Sequence, residues 1–97
     1  MSASSPPSDD LAEAACSVRL PGDVDLHARP ARDVVGVAAR FTARIVLSVQ
    51  DRQAEATSIL QVLGLGARRG TAVTVQARGA DAQAAAAAVA AALVALR

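Results

Sequence analysis

The chain has 97 residues, a length that suits one compact domain with a modest core and little room for a deep substrate cleft. A multi-step metabolic enzyme is therefore not expected. All ten basic residues are arginine and they oppose nine carboxylates, so the formal net charge is only +1. The chain has no basic stripe and a single aromatic residue, and this argues against nucleic-acid binding.

The chain contains one cysteine and one histidine. Cys16 cannot form an internal disulfide, and a single histidine leaves no Cys/His cluster spaced for a metal ion. Neither a metal nor another cofactor is expected. Cys16 is interpreted as a buried strand residue, since no second histidine is present to activate it.

The first residues are rich in Ser, Pro and Asp, which predicts a disordered N-terminal extension over residues 1–15 and a folded domain over residues 16–97. The extension lacks the basic and apolar regions of a signal peptide. The longest apolar run, residues 84–96, is too short and too rich in alanine to cross a bilayer. A cytoplasmic location without membrane contact follows as the expectation.

Hydrophobic periodicity predicts seven elements along the chain. They are a strand at 16–20, a helix at 28–41, a hairpin of strands at 44–49 and 52–56, a short helix at 59–65, a strand at 71–77 and a C-terminal helix after the cap residue Asp81. The order βαββαβα favours an α+β sandwich: a mostly antiparallel four-stranded sheet with three helices on one face.

The single histidine, His27, stands immediately before the first turn of the first predicted helix. Helix N-termini expose unpaired backbone N–H groups and the positive end of the helix dipole, which together stabilise a phosphoryl dianion. Arg29 adds a guanidinium that can pair with phosphate oxygens. Imidazole is largely neutral at physiological pH, and its phosphorylated form still leaves readily. The arrangement suits a carrier of phosphoryl groups.

The segment Leu26-His27-Ala28-Arg29-Pro30-Ala31 resembles the active-site motif of HPr, the histidine-containing phosphocarrier family of the bacterial phosphoenolpyruvate-dependent sugar phosphotransferase system. Downstream, Ser58-Ile59-Leu60 with Leu63-Gly64-Leu65-Gly66 and Gly70 resembles the regulatory-serine segment of that family, at the same distance from the histidine. The resemblance covers residues 16–96. It implies the open-faced βαββαβα sandwich of that family, in agreement with the periodicity.

The resemblance also implies a role for each matching residue. His27 would be the phosphohistidine, Arg29 its phosphate-binding arginine, and Ser58 the serine that an HPr kinase/phosphorylase modifies in some lineages. Ile59 and Leu60 match the exposed docking patch. The implied donor is phosphorylated enzyme I and the implied acceptors are IIA domains, with the chain acting as a monomeric stoichiometric intermediate and not as an enzyme.

The sequence departs from the family pattern at two places. Asp25 stands where the family usually has glycine, with Asp23 close by, so two carboxylates are expected near the phosphate. At roughly 7 Å in a water-like dielectric, each would repel the phosphoryl group by about 0.6 kcal/mol. The hairpin turn is Gln50-Asp51 where Asn-Gly would be expected, which predicts a weaker turn.

Several alternatives stay open from the sequence. The chain could instead be a regulatory HPr-like binding module controlled through Ser58 or docking, or a carrier for a dihydroxyacetone kinase or a nitrogen-type branch. An acylphosphatase-like hydrolase using Arg29 ranks last, because no matching motif supplies an Asn or carboxylate. Helix capping alone also explains Ser58. The pair Arg68-Arg69 could be solvated or could dock acidic partners.

Overall fold

The computed structural model describes residues 12–22 and 25–96. Its elements in chain order are β1 (Glu13–Arg19), α1 (Ala28–Ala38), β2 (Arg44–Val49), β3 (Arg52–Glu55), α2 (Ile59–Gly64), β4 (Ala72–Arg78) and α3 (Ala82–Val94). This is the predicted βαββαβα order. Residues 1–11 of the expected N-terminal extension lie outside the described residues.

The four strands form one sheet in the order β1-β4-β2-β3, and every neighbouring pair is antiparallel. Val75 of β4 lies between Cys16 of β1 and Leu47 of β2, on the face that the helices cover. On the other face, the Ser17 hydroxyl hydrogen-bonds with that of Thr74 at 3.0 Å, with both residues outside the core. One covered and one open face confirm the predicted open-faced α+β sandwich.

The core between sheet and helices is aliphatic. Alanine is its commonest residue, with valine and leucine next, and α3 contributes three buried alanines in its first half followed by the larger Val89 and Leu93. The buried side chains of α1 are Pro30, Ala31, Val34 and Ala38, which recur at helical spacing. Cys16 is only half-buried, and its thiol lies 3.8 Å from the carbonyl oxygen of Ala86, so the expectation of a buried strand cysteine is met in part.

Some predicted boundaries differ from the structure. The first helix ends at Ala38, although Phe41 fits its apolar period. Phe41 lies one turn further on, where its N–H donates to the carbonyl of Ala38 at 3.2 Å and its side chain still packs, half-buried, against the core. The pattern detects the burial of this side chain but not the end of the helix. At the N-terminus, β1 begins at Glu13, before the alternation at 16–20.

Hydrogen bonds connect the residue before α3 with the residues just before β2. Asp81 occupies the predicted N-cap position, but its carboxylate makes no capping bond; it accepts the N–H groups of Thr42 at 2.9 Å and of Ala43 at 2.7 Å. These bonds hold the pKa of Asp81 below the ordinary value of an aspartate. Beside it, Gly79 has φ 141°, and a Cβ atom there would stand 2.9 Å from the Cα of Ala43.

No helix in the described part of the chain is long and apolar enough to cross a membrane. Among residues 12–22 and 25–96, no group of three or more His, Cys, Asp and Glu side chains comes together where it could hold a metal ion.

Candidate functional site

His27 is the N-cap residue of α1. Its backbone is extended, with φ −101° and ψ −165°, and its carbonyl accepts the first helical bond from the N–H of Ala31 at 2.8 Å. The imidazole makes no capping hydrogen bond and the residue is exposed. The first turn contains no acidic residue. A nucleophilic side chain therefore stands at the positive end of an 11-residue helix, open to solvent.

Three hydrogen bonds fix the backbone that leads into His27. The N–H of Leu26 donates to the carbonyl of Ala67 at 3.0 Å, and the N–H of His27 donates to the carbonyl of Asp25 at 2.9 Å. The carboxylate of Asp25 accepts the N–H of Arg69 at 2.9 Å. The residues before the histidine are therefore attached to the segment 67–69 by the backbone of Leu26 and by the side chain of Asp25, and the Leu26 side chain is buried in the core.

The segment that receives these bonds is itself fixed. The N–H of Arg68 donates to the Thr71 hydroxyl at 3.0 Å, and the N–H of Thr71 returns a bond to the carbonyl of Arg68 at 2.9 Å. Gly70, at φ 75°, donates to the carbonyl of Leu20 at 3.0 Å. We call residues 67–71 the anchor loop. Such a closed set of bonds makes it a firm attachment for the residues before His27.

A shallow depression of about 300 Å³ lies beside the helix start, lined by Ala28, Arg29, Arg32 and Ile59. It brings the predicted phosphate-binding arginine together with the first residue of α2. Arg32 was not singled out from the sequence, although it lies three residues after Arg29 and so shares its side of the helix. The two arginines give the depression positive charge and suit it to an anionic group.

The segment that begins α2 divides into buried and exposed parts. Ser58 is the half-buried N-cap residue, and its hydroxyl accepts the N–H of Gln61 at 3.3 Å, so it does cap the helix. Leu60 is 78% exposed, whereas Ile59 is half-buried and packs against the core. Of the two predicted docking residues, only Leu60 therefore offers a large exposed apolar side chain.

His27 is exposed on the part of the surface that the structure describes. A groove of about 410 Å³ lies on the open face of the sheet, between Glu13, Arg44 and Arg78. Small substrates usually bind in enclosed pockets. An exposed histidine on a shallow surface is better suited to react inside the active site of another protein.

Residues 14–95 match the family described as "PTS HPr component phosphorylation site". The chain is 40% identical over 82 residues to a multiphosphoryl transfer protein of Xanthomonas campestris, a match that covers 84% of this chain and 10% of that protein. It is 37% identical over 59 residues to the phosphocarrier protein HPr of Mycoplasma capricolum, covering 61% of this chain and 66% of that one.

The fold is also similar to a solved structure. The crystal structure of a phosphocarrier protein HPr from Bacillus anthracis superposes with a TM-score of 0.80 at 32% identity, over 84% of this chain and 98% of that chain. The chain therefore spans nearly the whole of that small carrier but only about a tenth of the Xanthomonas protein.

Proposed function

Because the chain belongs to the HPr family of phosphocarriers, we propose that it accepts a phosphoryl group on His27 and passes it to another protein. The observation that carries this proposal is the exposed imidazole at the N-cap of α1, with no acidic residue in the first turn of that helix. A carrier of this kind is consumed and regenerated in each cycle and turns over no small substrate of its own.

The transfer is a displacement at phosphorus. A lone pair on an imidazole nitrogen of His27 forms the N–P bond while the bond between phosphorus and the donor breaks, and that electron pair stays with the donor. The dianion then lies beside the positive end of α1 and the guanidinium of Arg29, both of which stabilise it. Transfer to the acceptor repeats the displacement with His27 as the leaving group, and imidazole suits this step.

The partners that we propose are those of the family: phosphorylated enzyme I as the donor and IIA domains as acceptors, in the cytoplasm. Arg29 and Arg32 line the depression beside the start of α1 together with Ile59, and the exposed Leu60 follows Ile59 in α2. These basic and apolar residues support docking by a partner with an apolar and acidic face. Ser58 lies next to this surface. A phosphate there would add negative charge beside the docking patch, so we also propose Ser58 as the target of an HPr kinase/phosphorylase.

The test is intact-mass analysis after incubation with phosphoenolpyruvate and enzyme I from the same organism. Wild type should gain one phosphoryl group that is labile to acid and stable to alkali, and His27→Ala should gain none. Ser58→Ala serves as the matched control and should be labelled like the wild type. A wild-type chain that stays unlabelled would contradict the carrier function.

A further inference from the structure

We propose that Asp25 is a positioning residue for His27 and that it acts through the bond between its carboxylate and the backbone N–H of Arg69. This inference rests on the proposed carrier function. The family pattern has glycine at this position, so the attachment is a feature of this chain's own sequence.

The segment before His27 is attached to the anchor loop at two points. His27 has no side-chain capping bond, so the direction of its imidazole depends on its backbone. That backbone is bonded to the carbonyl of Asp25 at 2.9 Å, and Leu26 is bonded to the anchor loop at Ala67. The bond at Ala67 and the buried Leu26 side chain both hold the segment at Leu26. The second bond, from Arg69 to the Asp25 carboxylate, gives the segment two points of attachment to the same loop.

The effect of the negative charge on Asp25 depends on where its carboxylate is bonded. Sequence alone places the Asp25 carboxylate near the phosphoryl group as a source of repulsion. In the structure one of its oxygens accepts the backbone N–H of Arg69, in the anchor loop, at 2.9 Å. Hydrogen bonds to an ionised carboxylate are roughly twice as strong as neutral ones. Attachment therefore outweighs repulsion at this residue.

Repulsion and positioning predict opposite effects of removing Asp25 on the rate at which His27 is phosphorylated. If Asp25 mainly repels the phosphoryl group, its removal accelerates phosphorylation of His27. If it positions the histidine, its removal slows that step, because small displacements of a reacting group cost large factors in rate.

The experiment compares wild type with Asp25→Ala, which removes the acceptor, and Asp25→Asn, which removes the charge but keeps an acceptor oxygen. Asp51→Asn, in the exposed hairpin turn, is the charge control. Transfer from phosphorylated enzyme I should show kcat about tenfold lower for Asp25→Ala with KM within about twofold. The kcat of Asp25→Asn should stay within about threefold of the wild-type value, and the kcat of Asp51→Asn should equal the wild-type value.

A second measurement does not depend on any partner. In NMR spectra, the amide proton of Arg69 should shift as the carboxylate titrates in wild type and should not shift in Asp25→Asn. Labelling of His27 by phosphoramidate, a small chemical donor, should also be slower in Asp25→Ala. These two readouts decide the role of Asp25 even if enzyme I fails to label the wild type, a result that would count against the carrier function alone.

Three results would each overturn the proposal. They are an Asp25→Ala variant that is phosphorylated as fast as wild type or faster, an Asp25→Asn variant as slow as Asp25→Ala, and an Arg69 amide that is insensitive to the carboxylate.

Discussion

The carboxylate of Asp81 accepts the backbone N–H groups of Thr42 and Ala43, which lie almost forty residues earlier in the chain. These bonds favour the ionised form and lower the pKa of Asp81 in the folded protein below its unfolded value. Folding stability from this group is therefore complete above the unfolded pKa and is lost as the pH falls through the folded pKa.

We predict that Asp81→Asn lowers the thermal midpoint by several degrees at pH 7, and that the difference from wild type shrinks steadily as the pH falls below about 4. Thermal unfolding followed by circular dichroism between pH 2 and pH 7 measures this. Asp51→Asn removes the same charge from an exposed turn and should leave the midpoint nearly unchanged. A difference from wild type that grew on acidification would contradict the assignment.

Ser58 combines a structural and a proposed regulatory role, and two substitutions separate them. Ser58→Ala removes the 3.3 Å cap of α2 and should lower the free energy of unfolding by about 0.5–1 kcal/mol, while transfer from enzyme I stays at the wild-type rate. Ser58→Asp retains a capping oxygen and should keep most of the stability, but its charge beside Leu60 should reduce transfer at least about fivefold.

Urea unfolding and transfer kinetics on the same samples give both readouts for Ser58. If Ser58→Asp transferred phosphoryl groups as fast as wild type, the proposed regulation through this residue would be wrong, whatever its effect on stability.

At the scale of the elements, α2 has one buried face and one exposed face. Val62 is fully buried, whereas Leu60 is 78% exposed. Val62→Ala should destabilise the domain by about 2 kcal/mol, because it leaves a cavity in the core. Leu60→Ala should change the free energy of unfolding by less than about 0.5 kcal/mol.

The two α2 variants should rank in the opposite order in transfer. Leu60→Ala should lower kcat/KM for transfer from enzyme I about tenfold, since burying a leucine in an interface contributes about 1.5 kcal/mol or more. Val62→Ala, assayed well below its unfolding midpoint, should transfer at a nearly normal rate. Equal kinetics for Leu60→Ala and wild type would remove Leu60 from the proposed docking patch.

The β2–β3 hairpin contains a strained residue. Gln50 has φ 55°, a conformation that costs a residue with a Cβ atom about 1–2 kcal/mol. We predict that Gln50→Gly raises the free energy of unfolding by about 0.5–1 kcal/mol, the relief being partly offset by the greater freedom of glycine in the unfolded chain. Gln53→Gly, in the extended β3, should lower the free energy of unfolding. Urea denaturation of both variants tests the pair.

The elements were largely predictable because their signals are local. Alternation identifies Val73, Val75 and Ala77 as the buried face of β4, and the strand at 44–49 was placed at its observed bounds. The end of α1 was missed because Phe41 keeps its apolar contact after the helix has ended. In the candidate site, too, only the residues with a local signal were predictable. His27 and Arg29 are recognisable from six adjacent residues, but the bond between Asp25 and Arg69 joins residues 44 apart and has no signature in the sequence.

For the whole molecule, the boundary of the folded domain remains a prediction, since residues 1–11 lie outside the described part. A chain that begins at Ala12 should unfold at the same temperature as the full chain, because β1 starts at Glu13. A chain that begins at Cys16 loses the pairs that Glu13, Ala14 and Ala15 make with β4, and its midpoint should fall by at least about 4 °C. Equal midpoints for both truncations would place the boundary at residue 16.

The sheet order also determines when, during synthesis, the residues around His27 can reach their folded positions. β1 is the first strand to be made, yet among the described strands its partner is β4, which ends at Arg78. The residues before His27 are likewise attached to the anchor loop at 67–71. These long-range contacts form late, and they cannot form on a ribosome-bound chain until that loop has left the exit tunnel. The histidine is thus synthesised early, but the residues before it are attached only once most of the domain has emerged. Under the proposed carrier function, incomplete chains should therefore not compete with the finished protein for the phosphoryl donor.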